Sequence, residues 1–293
     1  MIERAVFSYF NPNNSFLNRS GYLEFEDFLH SMALAVVTAS RHFPQVQVVS
    51  SSWGVDMFRQ LELPVTEYST EFDALQHVPL AFWAYGKLTA YAMQTQPFVH
   101  IDNDVFLWKS LPQRLLEAEL CFQSKEFFHA PGYHYYNMLR PCWKAAPVRP
   151  QIIVDNEVTD FAYNCGICGG HRLEFFREWQ RCSVQYLFAP ENQSLFFRRY
   201  QAVLQHQNLF HEQYFAASLV KAHQLRDRVE VIADDVPDIR EATANGYTHI
   251  WGQTKADVWI ALKIKKRLQK ESPSTARHID EFVKDNKVHA NQI

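Results

Sequence analysis

The sequence predicts an α/β fold, a single domain with a mixed, mostly parallel central sheet flanked by helices, and three observations predict it. The chain has 293 residues, of which 47% are apolar and 21% charged, a globular composition that can bury a large core. Short runs rich in apolar and β-branched residues recur along it. Between these runs, apolar residues follow helical spacing. Strands that alternate with helices indicate parallel strands joined by right-handed crossovers.

The first hundred residues show this alternation most clearly. Apolar and β-branched residues predict strands at Ala5–Tyr9 and Val46–Ser50, and between them Glu24–His42 has apolar residues at helical spacing. The same criteria predict a helix at Gly54–Leu61, a strand at Val65–Tyr68, a helix at Leu80–Thr95 and a strand at Pro97–Ile101. Ligands of open α/β sheets bind beyond the carboxyl ends of strands. The residues after Ile101 are therefore a candidate site.

The rest of the chain is less regular. The predicted elements are helices at Pro112–Ala118, Leu173–Leu187 and Gln213–His223, and strands at Leu120–Gln123, Val229–Ala233 and Thr248–Trp251. Residues 127–150 are aromatic and irregular, which predicts a long loop or a pair of short elements, and such loops are often functional. From Ala261 onward the chain is polar and basic. We therefore expect one domain over residues 1–260 and a basic polar tail over residues 261–293.

Charge and composition argue against several classes of protein. The formal net charge is −3, whereas proteins that bind phosphate backbones usually carry a basic surplus, so no nucleic-acid partner is expected. The apolar run nearest to a membrane span, Met32–Val37, is far shorter than the roughly 20 residues needed, and the N-terminus lacks a signal-peptide pattern. The expected location is the cytoplasm. Five irregularly placed cysteines argue against a disulfide framework.

Two carboxylates follow the strand predicted at Pro97–Ile101. Asp102 and Asp104 are separated by Asn103, and on an extended segment side chains two residues apart project the same way. Two hard oxygen ligands side by side suit Mg²⁺ or Mn²⁺, which keep some waters and bridge to substrate phosphates. The alternative is a solvated turn, since Asp and Asn are common turn residues.

A second motif lies near the other end of the chain. His249 begins the run HIWGQTK, in which Gly252 and Lys255 follow at HxxGxxK spacing. A strand followed by DxD, with HxxGxxK further on, resembles the GT-A glycosyltransferases, and in particular the retaining family of glycogenin and the bacterial lipopolysaccharide galactosyltransferases. The resemblance implies a GT-A-like fold over roughly residues 1–260. That family usually continues with Pro-Trp, where this chain has Ala256-Asp257.

The resemblance implies roles for the residues of both motifs. The metal ion, Mn²⁺ or Mg²⁺, would be held by Asp102, Asp104 and His249. Gly252 and Lys255 would contact the diphosphate of a nucleotide sugar, and Asn103 would belong to the same donor site. The residue types suit these roles, because a neutral imidazole binds Mn²⁺ beside carboxylates, glycine admits close backbone approach and lysine supplies a point charge.

Three weaker matches occur in the expected order between the two motifs. The run YGKL places Lys87 where the family usually has an arginine on the helix before the DxD strand. The run NCGI resembles a segment that lines the donor-sugar pocket and implies that role for Asn164 and Gly166. Glu212 and Gln213 resemble an Asp-Gln pair at the start of a later helix, with the Gln side chain near the reacting anomeric carbon.

The resemblance implies a function as well as a fold. The implied activity is metal-dependent transfer of a glycosyl group from a nucleotide sugar, a UDP-sugar, with retention of anomeric configuration. The acceptor is left open among a saccharide, a lipid-linked glycan and a protein. The chain is also similar to a group of bacterial proteins of unknown function that share the blocks HxDxDVFxW and NxGIxGG.

Two alternatives belong to other functional classes. The first is a non-catalytic relative that kept the fold and binds a nucleotide sugar or a sugar. The second is a redox or zinc protein, since Cys165 and Cys168 form a CxxC. A single CxxC in mid-chain, without a second pair, is an incomplete match to either site.

Two surface features also have two interpretations each. The aromatic segment Phe127–Trp143 could stack an acceptor sugar, but core and loop packing is the simpler explanation. A cluster of basic residues near the C-terminal end consists of Lys263, Lys265, Lys266, Arg267 and Lys270. This cluster could contact an anionic membrane surface, and a solvated helix end is the alternative.

Overall fold

Strands and helices alternate along the chain. A computed structural model describes residues 1–130 and 135–290. The strands of these residues are β1 (Arg4–Ser8), β2 (Gln45–Val49), β3 (Glu67–Ser69), β4 (Phe98–Ile101), β5 (Val105–Leu107), β6 (Leu120–Phe127), β7 (Phe161–Gly170), β8 (Val229–Ala233) and β9 (Tyr247–His249).

The α-helices of the described residues vary from single turns to five turns. They are α1 (Phe25–Ala39), α2 (Ser52–Gln60), α3 (Ala84–Ala92), α4 (Gln113–Glu117), α5 (Tyr135–Ala145), α6 (Gln151–Val154), α7 (Leu173–Leu187), α8 (Pro190–Arg199), α9 (Gln207–Leu209), α10 (Phe215–Ala222), α11 (Ile239–Ala244), α12 (Val258–Glu271) and α13 (Pro273–Ala290). A π-helical turn, Phe210–Tyr214, joins α9 to α10. None of these helices has the length and apolarity that a membrane crossing needs.

The chain divides into two compact units, each assembled from separate stretches of sequence. The first, which we call the DxD unit, comprises Glu3–Val78, Ile101–Leu111 and Asp238–Ile293. The second, which we call the middle unit, comprises Met1–Ile2, Pro79–His100 and Pro112–Pro237.

The DxD unit contains three parallel strands in the order β3-β2-β1. Arg4 pairs with Gln45 and Ser8 with Val49, and all five residues of β1 are buried. Burial of the whole strand is expected, because parallel strands are covered on both faces. Strands β5 and β9 of the same unit form a separate antiparallel ribbon.

Helix α1 is the central helix of the DxD unit. It begins at a capping box formed by Glu24 and Asp27, and every residue from Phe28 to its end is buried. Helices α12 and α13 pack against α1. In α12 a buried stripe of Ala261, Ile264 and Leu268 recurs at helical spacing among lysines and arginines. Residues 261–290, whose composition predicts a polar tail, are therefore largely helical, and the domain boundary at residue 260 stays a prediction.

The middle unit contains strands in the order β4-β7-β6-β8, with β4 contributing residues 98–100. Strand β6 pairs antiparallel with β7 and parallel with β8. The β6–β7 register shifts where Phe122 pairs with Cys168 and Ser124 with Asn164, which marks a β-bulge in β7. The unit has an aromatic core that includes Trp143, Trp179, Tyr186, Phe210 and Phe215.

The predicted class, α/β with a mixed, mostly parallel sheet and flanking helices, is confirmed. Three predicted elements differ. Strand β6 continues to Phe127, past the predicted end at Gln123, and α5 occupies part of the aromatic segment over residues 127–150, with α6 directly after it. Residues 131–134 of that segment, which include His134, lie outside the described residues. The helix predicted at Gln213–His223 begins earlier, so Glu212 and Gln213 lie inside a continuous helical stretch.

Gly169→Ala is expected to destabilise the protein strongly. A Cβ at Gly169 would lie 2.0 Å from the Phe98 carbonyl oxygen and 2.7 Å from the Val99 Cα, and both are backbone atoms that cannot rotate away. We expect a loss of about 3 kcal/mol, the upper end of ordinary overpacking costs. Urea unfolding of the wild type and the variant measures it.

Gly252→Ala is the matched control for this substitution. A Cβ at Gly252 would meet nothing within 4 Å, so the expected cost is the positive φ of +60°, about 1–2 kcal/mol. A loss for Gly169→Ala no larger than that for Gly252→Ala would contradict the packing argument.

Candidate functional site

The three predicted metal ligands converge in the DxD unit. Strand β4 ends at Ile101, the chain turns through Asp102–Asp104, and β5 follows at once. Val105 pairs with His249 of β9, and the Ile250 amide donates to the Asp104 carbonyl oxygen at 3.0 Å. This pairing fixes His249 beside Asp104. One ligand atom from each of Asp102, Asp104 and His249 lies within 4.8 Å of the others.

The cluster is only partly open to solvent. Asp104 and His249 are 4% and 8% exposed, whereas Asp102 is half-buried. The His249 Nε2 lies 3.5 Å from the Asp104 Oδ1. Carboxylate oxygens with one imidazole nitrogen are a donor set that suits Mn²⁺ or Mg²⁺, so the chemistry of these residues fits the predicted ion.

Asn103 holds the DxD turn in place. Its side-chain amide donates to the Ser8 carbonyl oxygen at 2.9 Å, and its own carbonyl accepts from the Ser31 hydroxyl at 2.9 Å. Its amide nitrogen is thus engaged with the end of β1. The structure therefore gives Asn103 a positioning role, and the predicted contact with a donor stays a prediction.

Lys255 reaches the same cluster from the 3₁₀ turn Gly252–Ala256. Its ammonium lies 2.5 Å from the Asp104 Oδ2 and donates to the Ser20 carbonyl oxygen at 3.3 Å. Gly252 opens this turn with a φ of +60°, in the left-handed region that favours glycine. This backbone conformation, and not close packing, explains the glycine at position 252, because no atom of the described residues lies within 4 Å of a Cβ built there.

The remaining predicted residues lie in the middle unit, where Lys87 and Glu212 form a buried ion pair. The Lys87 Nζ lies 2.6 Å from the Glu212 Oε1, and Glu212 is only 1% exposed. Lys87 is on α3, as predicted, and its ammonium also lies 3.5 Å from the Cys165 carbonyl oxygen. The Tyr91 hydroxyl lies 3.5 Å from the same Glu212 oxygen.

Gln213 and Asn164 belong to a second buried network of the middle unit. Asn164 donates to the Glu126 Oε1 at 2.7 Å, and its own Oδ1 accepts from the Gly166 amide at 3.0 Å. The Tyr136 hydroxyl lies 3.1 Å from the Glu126 Oε2 and 2.5 Å from the Gln213 Oε1. Gln213 is therefore connected to Asn164 through two side chains.

Glu212 and Gln213 were expected at a helix N-terminus, and this expectation is wrong. Both lie in the π-helical turn, between α9 and α10, so the preceding turn covers the amide groups that an N-terminus would expose. Single π-helical turns inside helices occur frequently at functional sites, because the extra residue changes which side chains face one direction. Gly166 lies in β7 at the β-bulge.

Sequence patterns did not identify Glu126 or Tyr136. Glu126 lies beyond the predicted end of its strand, and Tyr136 lies in the aromatic segment that was predicted to be a long loop or a pair of short elements. Their only common sequence signal is a polar group among aromatic residues, which also describes ordinary core packing. They are recognised only once the fold brings them to Asn164 and Gln213.

Burial controls the titration of the middle-unit cluster. Burial raises the pKa of the Glu212 carboxyl above its ordinary value; the Lys87 ammonium opposes this shift and the nearby Glu126 carboxyl reinforces it. Burial lowers the pKa of His100 well below its ordinary value, and the Lys87 charge acts in the same direction. His100 is therefore neutral at physiological pH.

The cysteines offer poor redox chemistry. All five are buried, and burial raises the pKa of Cys165 well above its ordinary value. Such a group is a thiol at neutral pH, whereas thiolates are the nucleophiles and metal ligands. Neither group of metal-ligating side chains found among the described residues includes a cysteine.

The other candidate metal group, also in the DxD unit, consists of Glu26, His30 and Asp280. Lys265 donates to both carboxylates, at 2.7 and 2.9 Å. An ion-pair network already explains these carboxylates.

The exposed basic residues of α12 lie beside exposed apolar ones. Trp259 is 73% exposed, and Val258 and Leu262 are also exposed on the same helix. Peripheral membrane contact through this segment and a cytoplasmic location stay predictions.

The fold and the site together define an α/β protein with a carboxylate–imidazole cluster beside a lysine. Residues 4–282 match the model of a family of unknown function, DUF6734, and the chain belongs to that family. No curated protein matches this chain.

Several solved structures are similar to it. One is the glycosyltransferase GlyE of Streptococcus pneumoniae, at 10% identity and a TM-score of 0.43, with 97% of this chain and 64% of that chain covered. This chain thus spans less than two thirds of the length of GlyE. Another is the galactosyltransferase LgtC, in complex with donor and acceptor sugar analogues, at 12% identity, 90% and 94% coverage and a TM-score of 0.41. A third is the inositol-1-phosphate CTP transferase of T. maritima, at 9% identity, 92% and 97% coverage and a TM-score of 0.41.

Lys87→Met should destabilise the protein in a pH-dependent way. Removing one partner of a buried ion pair costs about 3–5 kcal/mol, because the other charge stays buried alone. The folded-state pKa of Glu212 lies above its unfolded value, so the folded protein binds this proton more tightly, and losing Lys87 raises that pKa further. The loss should be small at low pH and grow as the pH rises through the folded pKa.

Urea unfolding across the acidic to neutral range measures this dependence. The control is Lys87→Met with Glu212→Gln, which removes both charges and should flatten the additional pH dependence. A loss in Lys87→Met that is equal at all pH values would contradict a buried, ionised Glu212.

Proposed function

We propose that this protein is an enzyme that transfers a glycosyl group from a nucleotide sugar, a UDP-sugar, to an acceptor, with Mn²⁺ or Mg²⁺ on the diphosphate. One observation carries the proposal: Asp102, Asp104 and His249 come together from distant parts of the sequence, and Lys255 reaches the same carboxylate. Both halves of the motif pair that resembles the retaining glycosyltransferases thus meet in one cluster. An ordinary solvated Asp-Asn-Asp turn would not require His249 and Lys255 beside it.

The residues of this cluster would have different roles in binding a diphosphate. Asp102, Asp104 and His249 would hold the ion, which when bound would stabilise negative charge on the departing nucleoside diphosphate. Lys255 would place its ammonium on a phosphate oxygen as a point charge. Gly252 lets the chain turn so that Lys255 can reach that position.

For residues of the middle unit the resemblance implies sugar recognition and the transfer step. Asn164 and Gly166 would shape the donor-sugar pocket, and Lys87 would support the donor while paired with Glu212. A carboxamide is a poor nucleophile, so Gln213 would act through its dipole, beside the positive charge that develops at the anomeric carbon. Retention of configuration is part of this proposal, as is an acceptor that is a saccharide, a lipid-linked glycan or a protein.

A panel of nucleotide sugars tests the donor and the metal together. We expect UDP-sugars to raise the thermal midpoint with Mn²⁺ and much less without it, because ligands that bind the folded state stabilise it. Asp104→Asn should remove the Mn²⁺-dependent part. Calorimetric UDP binding to Asp104→Asn at wild-type affinity, with Mn²⁺ present, would contradict the metal assignment.

Gln213→Ala tests the transfer step once a donor is known. An interaction made only in the transition state changes kcat and kcat/KM together, so both should fall by about 10²–10³-fold while donor affinity changes little. Steady-state kinetics beside the thermal midpoint measure this. Wild-type turnover with a lowered midpoint would assign Gln213 to packing of the π-helical turn.

A non-catalytic nucleotide-sugar-binding protein is the second candidate, and one observation favours it. Gln213 is 6% exposed, and its carbonyl oxygen already lies in hydrogen-bond contact with Tyr136. Binding of UDP-sugars without hydrolysis or transfer over prolonged incubation would support this candidate.

A further inference from the structure

The ammonium of Lys255 takes up a carboxylate oxygen of the proposed metal site. It lies 2.5 Å from the Asp104 Oδ2, while the other oxygen of the same carboxylate lies 3.5 Å from His249. The Lys255 and Asp104 side chains are only 21% and 6% exposed, so water screens this pair weakly. Asp104 is thus neutralised by a cation that belongs to the protein.

A cradle built by residues 20–22 holds Lys255 in this position. The Ser20 carbonyl oxygen accepts from the ammonium, and the Tyr22 ring centroid lies 5.7 Å from it, a cation–π distance. A Cβ at Gly21, whose φ is +91°, would lie 3.3 Å from the Lys255 Cδ, so glycine leaves room for the lysine stem.

Hydrogen bonds tie this cradle to the DxD turn. The Tyr22 hydroxyl donates to the Ser31 Oγ at 2.6 Å, and the Ser31 hydroxyl donates to the Asn103 carbonyl oxygen at 2.9 Å. Burial and the Asp104 charge both raise the pKa of Tyr22, which keeps its hydroxyl protonated and able to donate. The cradle that holds Lys255 is therefore linked by hydrogen bonds to the turn that presents Asp102 and Asp104.

We propose that Lys255 is an internal cation that occupies the metal site until a divalent ion displaces it, and that the displaced ammonium then becomes available to the diphosphate. This inference rests on the proposed function for its metal and its diphosphate. The ammonium lies 2.5 Å from the Asp104 Oδ2, so a metal ion on the same carboxylate would be a second cation close to it, and the two repel each other. Metal binding therefore favours release of Lys255, which couples metal binding to diphosphate binding.

The coupling gives Lys255 opposite effects on two ligands. The apparent metal affinity is the intrinsic affinity multiplied by the fraction of protein in which Lys255 has left Asp104, so removing the ammonium should strengthen metal binding. Removing it should weaken UDP, which loses a point charge on its phosphates. A lysine that only contacts the diphosphate would weaken UDP and leave metal binding in the absence of nucleotide unchanged.

Mn²⁺ titration without nucleotide tests the first effect, with free Mn²⁺ followed by its electron paramagnetic resonance signal. Lys255→Met should bind Mn²⁺ more tightly than the wild type by about 5–150-fold, the usual range for coupling between sites. Lys255→Gln, which keeps a polar side chain, should also bind Mn²⁺ more tightly than the wild type. The test can therefore be made with either variant if the other folds poorly. Asp104→Asn should abolish the tight binding in the wild type and in both variants.

Lys263→Met is the matched control, because Lys263 is an exposed lysine of α12 in the same unit. It lowers the net charge by the same amount and should leave Mn²⁺ affinity unchanged.

Calorimetry with UDP at saturating Mn²⁺ tests the second effect, the weaker binding of UDP. Lys255→Met should bind UDP more weakly than both the wild type and Lys263→Met.

The possible failures are distinguishable. Unchanged or weaker Mn²⁺ affinity in both Lys255 variants overturns the inference and leaves the proposed function standing, provided the wild type binds Mn²⁺ at Asp104. An equal gain in Lys263→Met also overturns it, since net charge alone would then explain the effect. Undiminished UDP affinity in Lys255→Met overturns the transfer of the ammonium to the diphosphate. Absence of Mn²⁺ binding in every protein overturns the metal site and the inference together.

Discussion

The antiparallel pairing of β5 with β9 is the constraint on which the DxD cluster depends. Asp104 immediately precedes β5, and His249 ends β9, so the register that pairs Val105 with His249 also decides which carboxylate the imidazole faces. A slip of one residue would turn the imidazole to the opposite face of the ribbon. The hydrogen bond from the Ile250 amide to the Asp104 carbonyl oxygen extends this pairing by one residue and holds the turn at Asp102–Asp104 in place.

Both units treat buried carboxylates in the same way. Asp104 lies against Lys255 and Glu212 against Lys87, and each pair is largely shielded from water. A buried carboxylate without a partner would be protonated or would cost several kcal/mol, and a protonated acid is a poor metal ligand. Stability alone does not explain these pairs, since a buried ion pair seldom exceeds an apolar pair in stabilising energy.

The parts of this structure that local patterns encode were predictable, and those that depend on long-range packing were not. Strand β4 and the acidic turn after it follow from an apolar run and two Asp residues. The helicity of α12 was hidden because its apolar stripe, Ala261 to Leu268, is narrow and the lysines between dominate the composition. The π-helical turn around Gln213 was not predicted, because the apolar spacing of so short a segment does not distinguish one turn with an extra residue from an ordinary helical turn. The contact of Lys255 with Asp104 depends on β9 reaching β5, which no local window contains.

The HxxGxxK spacing follows from three separate physical requirements. The His position is set by β-ribbon register, because His249 is opposite Val105, the residue that follows Asp104. The Gly position is set by backbone conformation, since the chain is extended through Trp251 and must adopt a φ of +60° at Gly252 to enter the 3₁₀ turn. The Lys position is set by reach, because that turn places residue 255 with its stem against Gly21 and its ammonium on Asp104. A motif whose fixed positions each satisfy a different constraint is unlike a chance match, in which spacing would have no structural consequence.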